Sequence, residues 1–117
     1  MRIIIAGSRG ITEYAMVDRA VRESEFPITE VISGGARGAD RLGEEWARRN
    51  EIPIRRFMAD WERHGKRAGL VRNEEMADHA EGLIAVWDGQ SPGTKHMIET
   101  AEKKGLKVFI LPGPGAV

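Results

Sequence analysis

The sequence predicts an α/β fold: a five-stranded parallel sheet in the order 3-2-1-4-5, with helices on both faces. Three observations lead there. Short apolar runs alternate along the chain with stretches of helical spacing. The first run, Ile3-Ile4-Ile5-Ala6, is apolar at every position, which suits a strand covered on both faces. Three glycine-bearing turns, Gly7-Ser8-Arg9-Gly10, Ser33-Gly34-Gly35-Ala36-Arg37-Gly38-Ala39-Asp40 and Asp88-Gly89-Gln90-Ser91-Pro92-Gly93-Thr94, each join such a run to such a stretch.

The first strand runs from Arg2 to Ala6. Thr12 can cap the helix that follows, whose inward stripe is Val17, Ala20, Val21 and Ser24 before Phe26-Pro27 ends it. The second strand spans Glu30 to Ser33. The second helix, Arg37 to Asn50, puts Ala39, Leu42, Trp46 and Ala47 on one face, so Trp46 reads as core. Pro53 to Met58 reads as a third strand, its proline suited to a strand start or a sheet edge. A long connection from Ala59 leads into a helix ending near Ala80. Leu83 to Trp87 is the fourth strand, and a helix opening near Pro92 turns Thr94, Met97, Ile98 and Ala101 inward. After Gly105, Lys107 to Leu111 makes the fifth strand, and the tail Pro112-Gly113-Pro114-Gly115 stops structure. Right-handed crossovers between parallel strands give a Rossmann-like three-layer domain, for which 3-2-1-4-5 is the expected order.

Composition bounds the function. A chain of 117 residues fits one domain, residues 1–117, able to bury a core without disulfides or a structural metal. The lack of cysteine excludes thiolate catalysis and cysteine-zinc sites. Eighteen basic residues balance eighteen acidic ones, so no overall field draws the chain to nucleic acid or to an anionic membrane. The N-terminal apolar run is too short for a signal-peptide core and no segment approaches a membrane span, so a cytoplasmic location is expected. Arg55, Arg56, Lys66, Arg67 and Arg72 cluster against Asp60 and Glu62; a solvated face is the first reading and a cationic rim above an anion site the second.

The predicted order sets the three glycine turns side by side at the switch point of the sheet, where open α/β sheets bind ligands. Glycine lets a ligand approach the backbone, and a helix starting there aims unpaired N–H groups at an anion. The expected phosphate donors are Gly7, Ser8, Arg9, Gly34, Gly35, Gly93 and Thr94, with Arg9 and Arg72 neutralising charge. Ser91 and Thr94 are either helix caps or phosphate donors. Asp40 either compensates its helix dipole or reads a sugar hydroxyl. Asn73 shares a helix stripe with Gly69, Met76 and Ala80, so its amide needs a loop carbonyl or a ligand. Trp61 is placed to stack on a base, whereas Trp87 reads equally as packing. The first turn lacks Gly-x-Gly-x-x-Gly, the second strand lacks a ribose-binding carboxylate at its end, and no Gly-x-x-x-x-Gly-Lys-Ser/Thr is present. Ordinary NAD binding and P-loop hydrolysis are therefore disfavoured. His64, His79 and His96 lack metal-like spacing and read as surface or locally bonded residues, so no metal or cofactor is expected.

Four blocks together resemble the SLOG superfamily of small bacterial and phage proteins: Gly7-Ser8-Arg9; Ser33-Gly34-Gly35-Ala36-x-Gly38-Ala39-Asp40; Trp61-x-x-His64-Gly65-Lys66-x-Ala68-Gly69-x-x-Arg72-Asn73-x-x-Met76; and Trp87-Asp88-Gly89-x-Ser91-x-Gly93-Thr94. The superfamily includes the Lonely-guy phosphoribohydrolases, DNA-processing proteins of transformation and sensors of ADP-ribose-derived signals. The resemblance implies a Rossmann-like sheet holding a nucleotide or its derivative. It departs from the Lonely-guy pattern Pro-Gly-Gly-x-Gly-Thr-x-x-Glu, because Met97 stands where the glutamate would be. Glu99 lies about 200° further round the helix and should point away. Arg72 matches the enzyme's arginine, so Arg72 and Glu99 would be the catalytic pair if the chain were an enzyme. The expectation is a binding protein that senses or sequesters an ADP-ribose-like ligand or a nucleoside monophosphate, in phage-host conflict, as a homo-oligomer. A phosphoribohydrolase is the alternative, and DNA handling is disfavoured by charge and size.

Overall fold

In a computed structural model that describes residues 1–113, the apolar run Ile3–Ala6 forms the centre of the sheet. β1 (Arg2–Gly7) pairs in parallel with β2 (Glu30–Ser33) on one side and with β4 (Gly82–Trp87) on the other. β3 (Ile54–Arg56) and β5 (Lys107–Pro112) lie at the two edges, giving the order β3-β2-β1-β4-β5.

Successive residues of a strand face opposite sides, and the two sides are covered by different helices. Ile3, Ile5, Val31, Ile84 and Val86 pack against Val17, Ala20 and Val21 of α1 (Tyr14–Ser24) and Ala39, Trp46 and Ala47 of α2 (Ala39–Arg49). On the other side Ile4, Ile32, Leu83 and Ala85 meet Met76 and Ala77 of α4 (Ala68–His79) and Met97, Ile98 and Ala101 of α5 (Pro92–Lys103). Trp46 is core, as its helical position predicted.

Several boundaries differ from the sequence reading. Thr12 does not cap α1. Buried Ile11 donates its N–H to the Ser8 carbonyl, and the chain turns into the helix one residue later, with Glu13 at the N-cap and no side-chain cap bond. α2 begins at Ala39 rather than Arg37, because Gly38 crosses the backbone of the first turn: it has φ 80°, and a Cβ there would lie 2.4 Å from the Ser8 carbonyl oxygen. β3 is cut to the three residues that pair with Val31–Ser33. The long connection holds a short helix, α3 (Trp61–His64), capped by the Asp60 side chain, and a 3₁₀ turn that runs straight into α4. Pro112 continues β5 as an edge residue opposite Trp87, where its missing N–H costs little, and Pro114 and Gly115 lie outside the described residues. Among the described residues no helix is long and apolar enough to cross a membrane.

Candidate ligand-binding cleft

The strand order brings the C-terminal ends of β2, β1 and β4 together. A cleft of about 470 Å³ opens there, walled by the turn after β1, the start of α2, the inner face of α4 and the start of α5. Gly7, Ser8, Arg9, Asp40, Arg72, Asn73, Ser91, Gly93 and Thr94 all line it.

Ser8 ties the turns together. Its N–H donates to the Val86 carbonyl at 3.0 Å, and its own carbonyl accepts from Ile11 and Ala39. Its hydroxyl oxygen accepts the Asp88 N–H at 3.0 Å and lies 3.1 Å from the Ser91 hydroxyl. An N–H already given to Val86 is not a phosphate donor, so Ser8 is scaffold rather than the donor expected from its position. Ser91 is likewise neither a side-chain cap nor a free donor, because its hydroxyl bonds Asp88 and Ser8. Asp88 is the organiser that the sequence reading missed: its carboxylate accepts the Gln90 and Ser91 N–H groups at 2.8 Å each. Those two bonds, helped by the hydroxyls of Ser91 and Ser8, hold its carboxyl down to about 2. The Asp-Gly pair was the available signal.

α5 then opens on Pro92, which has no N–H, and its first internal bond runs from the Lys95 N–H to the Ser91 carbonyl. The N–H groups of Gly93 and Thr94 are left without helical partners at the cleft wall.

The opposite wall carries charge. Arg72 donates from Nη1 to the Gly34 carbonyl at 3.1 Å, while its buried Nε has no partner, the one such side-chain atom among the described residues. Gly34 leaves the space that this arginine and Asp40 fill: a Cβ there would come within 2.9 Å of Asp40 Oδ2 and 3.2 Å of Arg72 Cζ. Burial pushes the Asp40 carboxyl up to about 6, against the Ala36 N–H, the Arg72 charge and the Gly7 N–H, which favour ionisation. Asn73 Nδ2 reaches the Gly93 carbonyl at 3.4 Å and His96 Nδ1 at 3.1 Å, so its amide is met by the first turns of α5 rather than by a loop carbonyl, and it staples α4 to α5. His96 and His79 are locally bonded, as expected.

Some expected site residues stand elsewhere. The Gly35 N–H donates to Ser33 Oγ at 3.0 Å, and the residue packs beside Arg56 and Met58 outside the cleft. Trp61 is 59% exposed on α3 and does not line the cleft. Glu99 is exposed on α5 whereas Met97 lines the cleft, as helical phase predicted. Of the five clustered cations only Arg72 reaches the site; Arg56 pairs with Glu44, Arg55 covers the Phe57 ring, and Lys66 and Arg67 are solvated. Glu44 was also missed. It is buried, accepts from Ser33 Oγ at 2.6 Å and Arg56 Nε at 2.9 Å, and so props the turn after β2. Burial alone would raise its carboxyl, yet the bonds from Arg56 and Ser33 and the charges of Arg56 and Arg48 hold it below its ordinary value.

Residues 1–64 match the YAcAr family, the YspA, cpYpsA-related SLOG family. Over 92% of its length the chain is 38% identical to the gene 61 protein of Mycobacterium phage D29, covering 94% of that protein. The chain belongs to the YspA/cpYpsA-related SLOG family. Its SLOG fold is also that of DNA processing protein A (DprA) from Streptococcus pneumoniae, with a TM-score of 0.78 over 98% of this chain at 17% identity. The chain spans about half of the DprA chain, 52%, and a likeness at that identity concerns the fold alone.

Proposed function

We propose that the cleft binds a nucleotide-derived ligand, ADP-ribose-like or a nucleoside monophosphate, and that the protein senses or sequesters it. The observation that carries this reading is the buried, unpartnered Nε of Arg72, a residue that lines the cleft across from the first turn of α5 with Gly93 and Thr94. A phosphate accepts from those two amides and from Arg72, with Arg9 at the rim adding charge, and Asp40 accepts a ribose hydroxyl. A helix terminus contributes about 0.3–1 kcal/mol to a bound anion and a charged hydrogen bond about 1.5–3, while micromolar affinity needs roughly 8 net. Phosphate contacts therefore call for a base or sugar contact as well. The 38% identical phage relative supports a place in phage-host conflict. Balanced charge favours a small ligand over nucleic acid, and a cytoplasmic homo-oligomer is the expected form.

A phosphoribohydrolase is the second reading, and one observation favours it: among the described residues Asp40 is the single carboxyl lining the cleft, with a pKa near the range of a general acid or base. Glu99, exposed on the far side of α5, is not in reach of that role. Incubation with nucleoside monophosphates, NAD, ADP-ribose and cyclic ADP-ribose isomers, followed by heat release and chromatography, separates the two. Intact ligand supports binding; free base and ribose phosphate support hydrolysis; the absence of any retained nucleotide or product contradicts both.

A further inference from the structure

We propose that His96 sets the polarity of the cleft wall through Asn73: the ring holds the Asn73 amide so that Oδ1, an acceptor, is the atom offered to a ligand. His96 is thereby a positioning residue, and Asn73 selects a ligand that carries a hydrogen-bond donor at that point. The selection rests on the nucleotide reading above, whereas the polarity does not.

Three contacts fix the amide. Asn73 Nδ2 lies 3.4 Å from the Gly93 carbonyl, which can only accept, so the amino end of the amide faces α5. The same Nδ2 lies 3.1 Å from His96 Nδ1, and an amide NH₂ can only donate, so Nδ1 is the unprotonated nitrogen of the ring. The other ring nitrogen, Nε2, lies 3.4 Å from the hydroxyl of buried Thr100 and carries the proton that it donates there. Turning the amide over would set Oδ1 against the Gly93 carbonyl and against an unprotonated Nδ1, two contacts between acceptors.

Oδ1 is what remains. Asn73 is 5% exposed, yet among the described residues Oδ1 accepts no hydrogen bond, and Arg72 Nε is the one buried side-chain polar atom without a partner. Oδ1 therefore keeps access to solvent, and the cleft is the space that Asn73 lines. Met76 and Met97, the apolar side chains that α4 and α5 add to that lining, offer a ligand no strong hydrogen bond. An acceptor in this stretch of wall favours a hydroxyl or amino group and disfavours a phosphate oxygen, so it complements the amides of Gly93 and Thr94 instead of repeating them.

Two experiments test the proposal. In the protein without ligand, heteronuclear NMR of the histidine rings should show His96 at neutral pH with a bare Nδ1 and a protonated Nε2, and His96→Leu should shift the Asn73 side-chain amide resonances. A protonated Nδ1, or amide resonances that stay in place, overturns the proposal whatever the protein binds. Equilibrium dialysis then compares AMP with 2′-deoxy-AMP, 3′-deoxy-AMP and purine riboside monophosphate, each of which lacks one donor. The wild type should bind AMP at least about tenfold tighter than one of the three, the worth of one hydrogen bond, and that analogue shows whether the donor is a ribose hydroxyl or the base amino group. For that analogue His96→Leu, with its folding checked by melting, should bring AMP down to the same level, and His96→Asn, which returns an acceptor near the place of Nδ1, should restore the excess. No excess over any analogue in the wild type, excesses that all survive His96→Leu, or a folded His96→Asn that restores none overturns the proposal, while AMP binding itself keeps the nucleotide reading. Failure of all four nucleotides to bind removes that reading and the selection with it, and the NMR result alone then decides the polarity.

Discussion

Two arginines flank the turn after β2, and their surroundings are opposite. Arg56 meets a buried carboxylate, Glu44, through Nε at 2.9 Å and through Nη2, and Ser33 completes the set. Arg72 lies near a buried carboxylate too, yet Asp40 and Arg72 form no ion pair, the Arg72 Nε has no partner, and the Asp40 carboxyl is pushed up to about 6. The first group is finished by the chain itself and acts as structure. The second is left unfinished, and folded proteins leave few buried polar groups in that condition. In the proposed reading an anion bound in the cleft is the partner that Arg72 lacks, and ligand binding to the folded state should raise its stability.

The contrast can be broken in order of expected effect. Glu44→Ala removes the finished side and should lower stability by about 3 kcal/mol in urea denaturation; a loss below about 1 kcal/mol would deny it a structural role. Asp40→Asn acts on the unfinished side with the opposite sign. Because burial raises this carboxyl from 3.8 to about 6, the folded state binds the proton more tightly, so this group's contribution to stability is full below pH 3.8 and is lost as pH rises through about 6. At neutral pH the ionised group costs up to about 3 kcal/mol, and Asp40→Asn should recover part of it and flatten that slope. Unchanged unfolding profiles across this range would contradict the burial argument. Arg72→Met should change stability by no more than about 1 kcal/mol, since a lost bond to Gly34 is offset by removal of an unpaired donor. Glu99→Gln, on an exposed helix face, should stay within about 0.5 kcal/mol of wild type and alter neither binding nor turnover.

The sheet order and the meeting of the three glycine turns were legible because strand and helix periods are local and the crossover rule fixes the rest. The phase of α5 was equally legible, placing Met97 in the cleft and Glu99 outside. Long-range polar bonds were not. Glu44 reads as a solvated helix acid until β3 delivers Arg56 beside it, although its place on the buried stripe with Asp40, Gly43 and Ala47 was a usable hint. The free N–H groups of glycine turns could be counted in the sequence, but not that Ser8 spends its own on Val86 and Gly35 on Ser33. Trp61 missed the cleft because the connection after β3 folds into α3, a helix too short for periodicity to reveal.

The central claim is that the unfinished arginine, and not the finished one, takes the ligand. Calorimetric titration of the wild type, Arg72→Met and Arg56→Met with the tightest-binding nucleotide of the panel tests it directly. The account predicts that Arg72→Met loses at least about tenfold in affinity while melting near the wild type, and that Arg56→Met melts lower yet binds as tightly when folded. Wild-type affinity in Arg72→Met, or an equal loss in folded Arg56→Met, would contradict it.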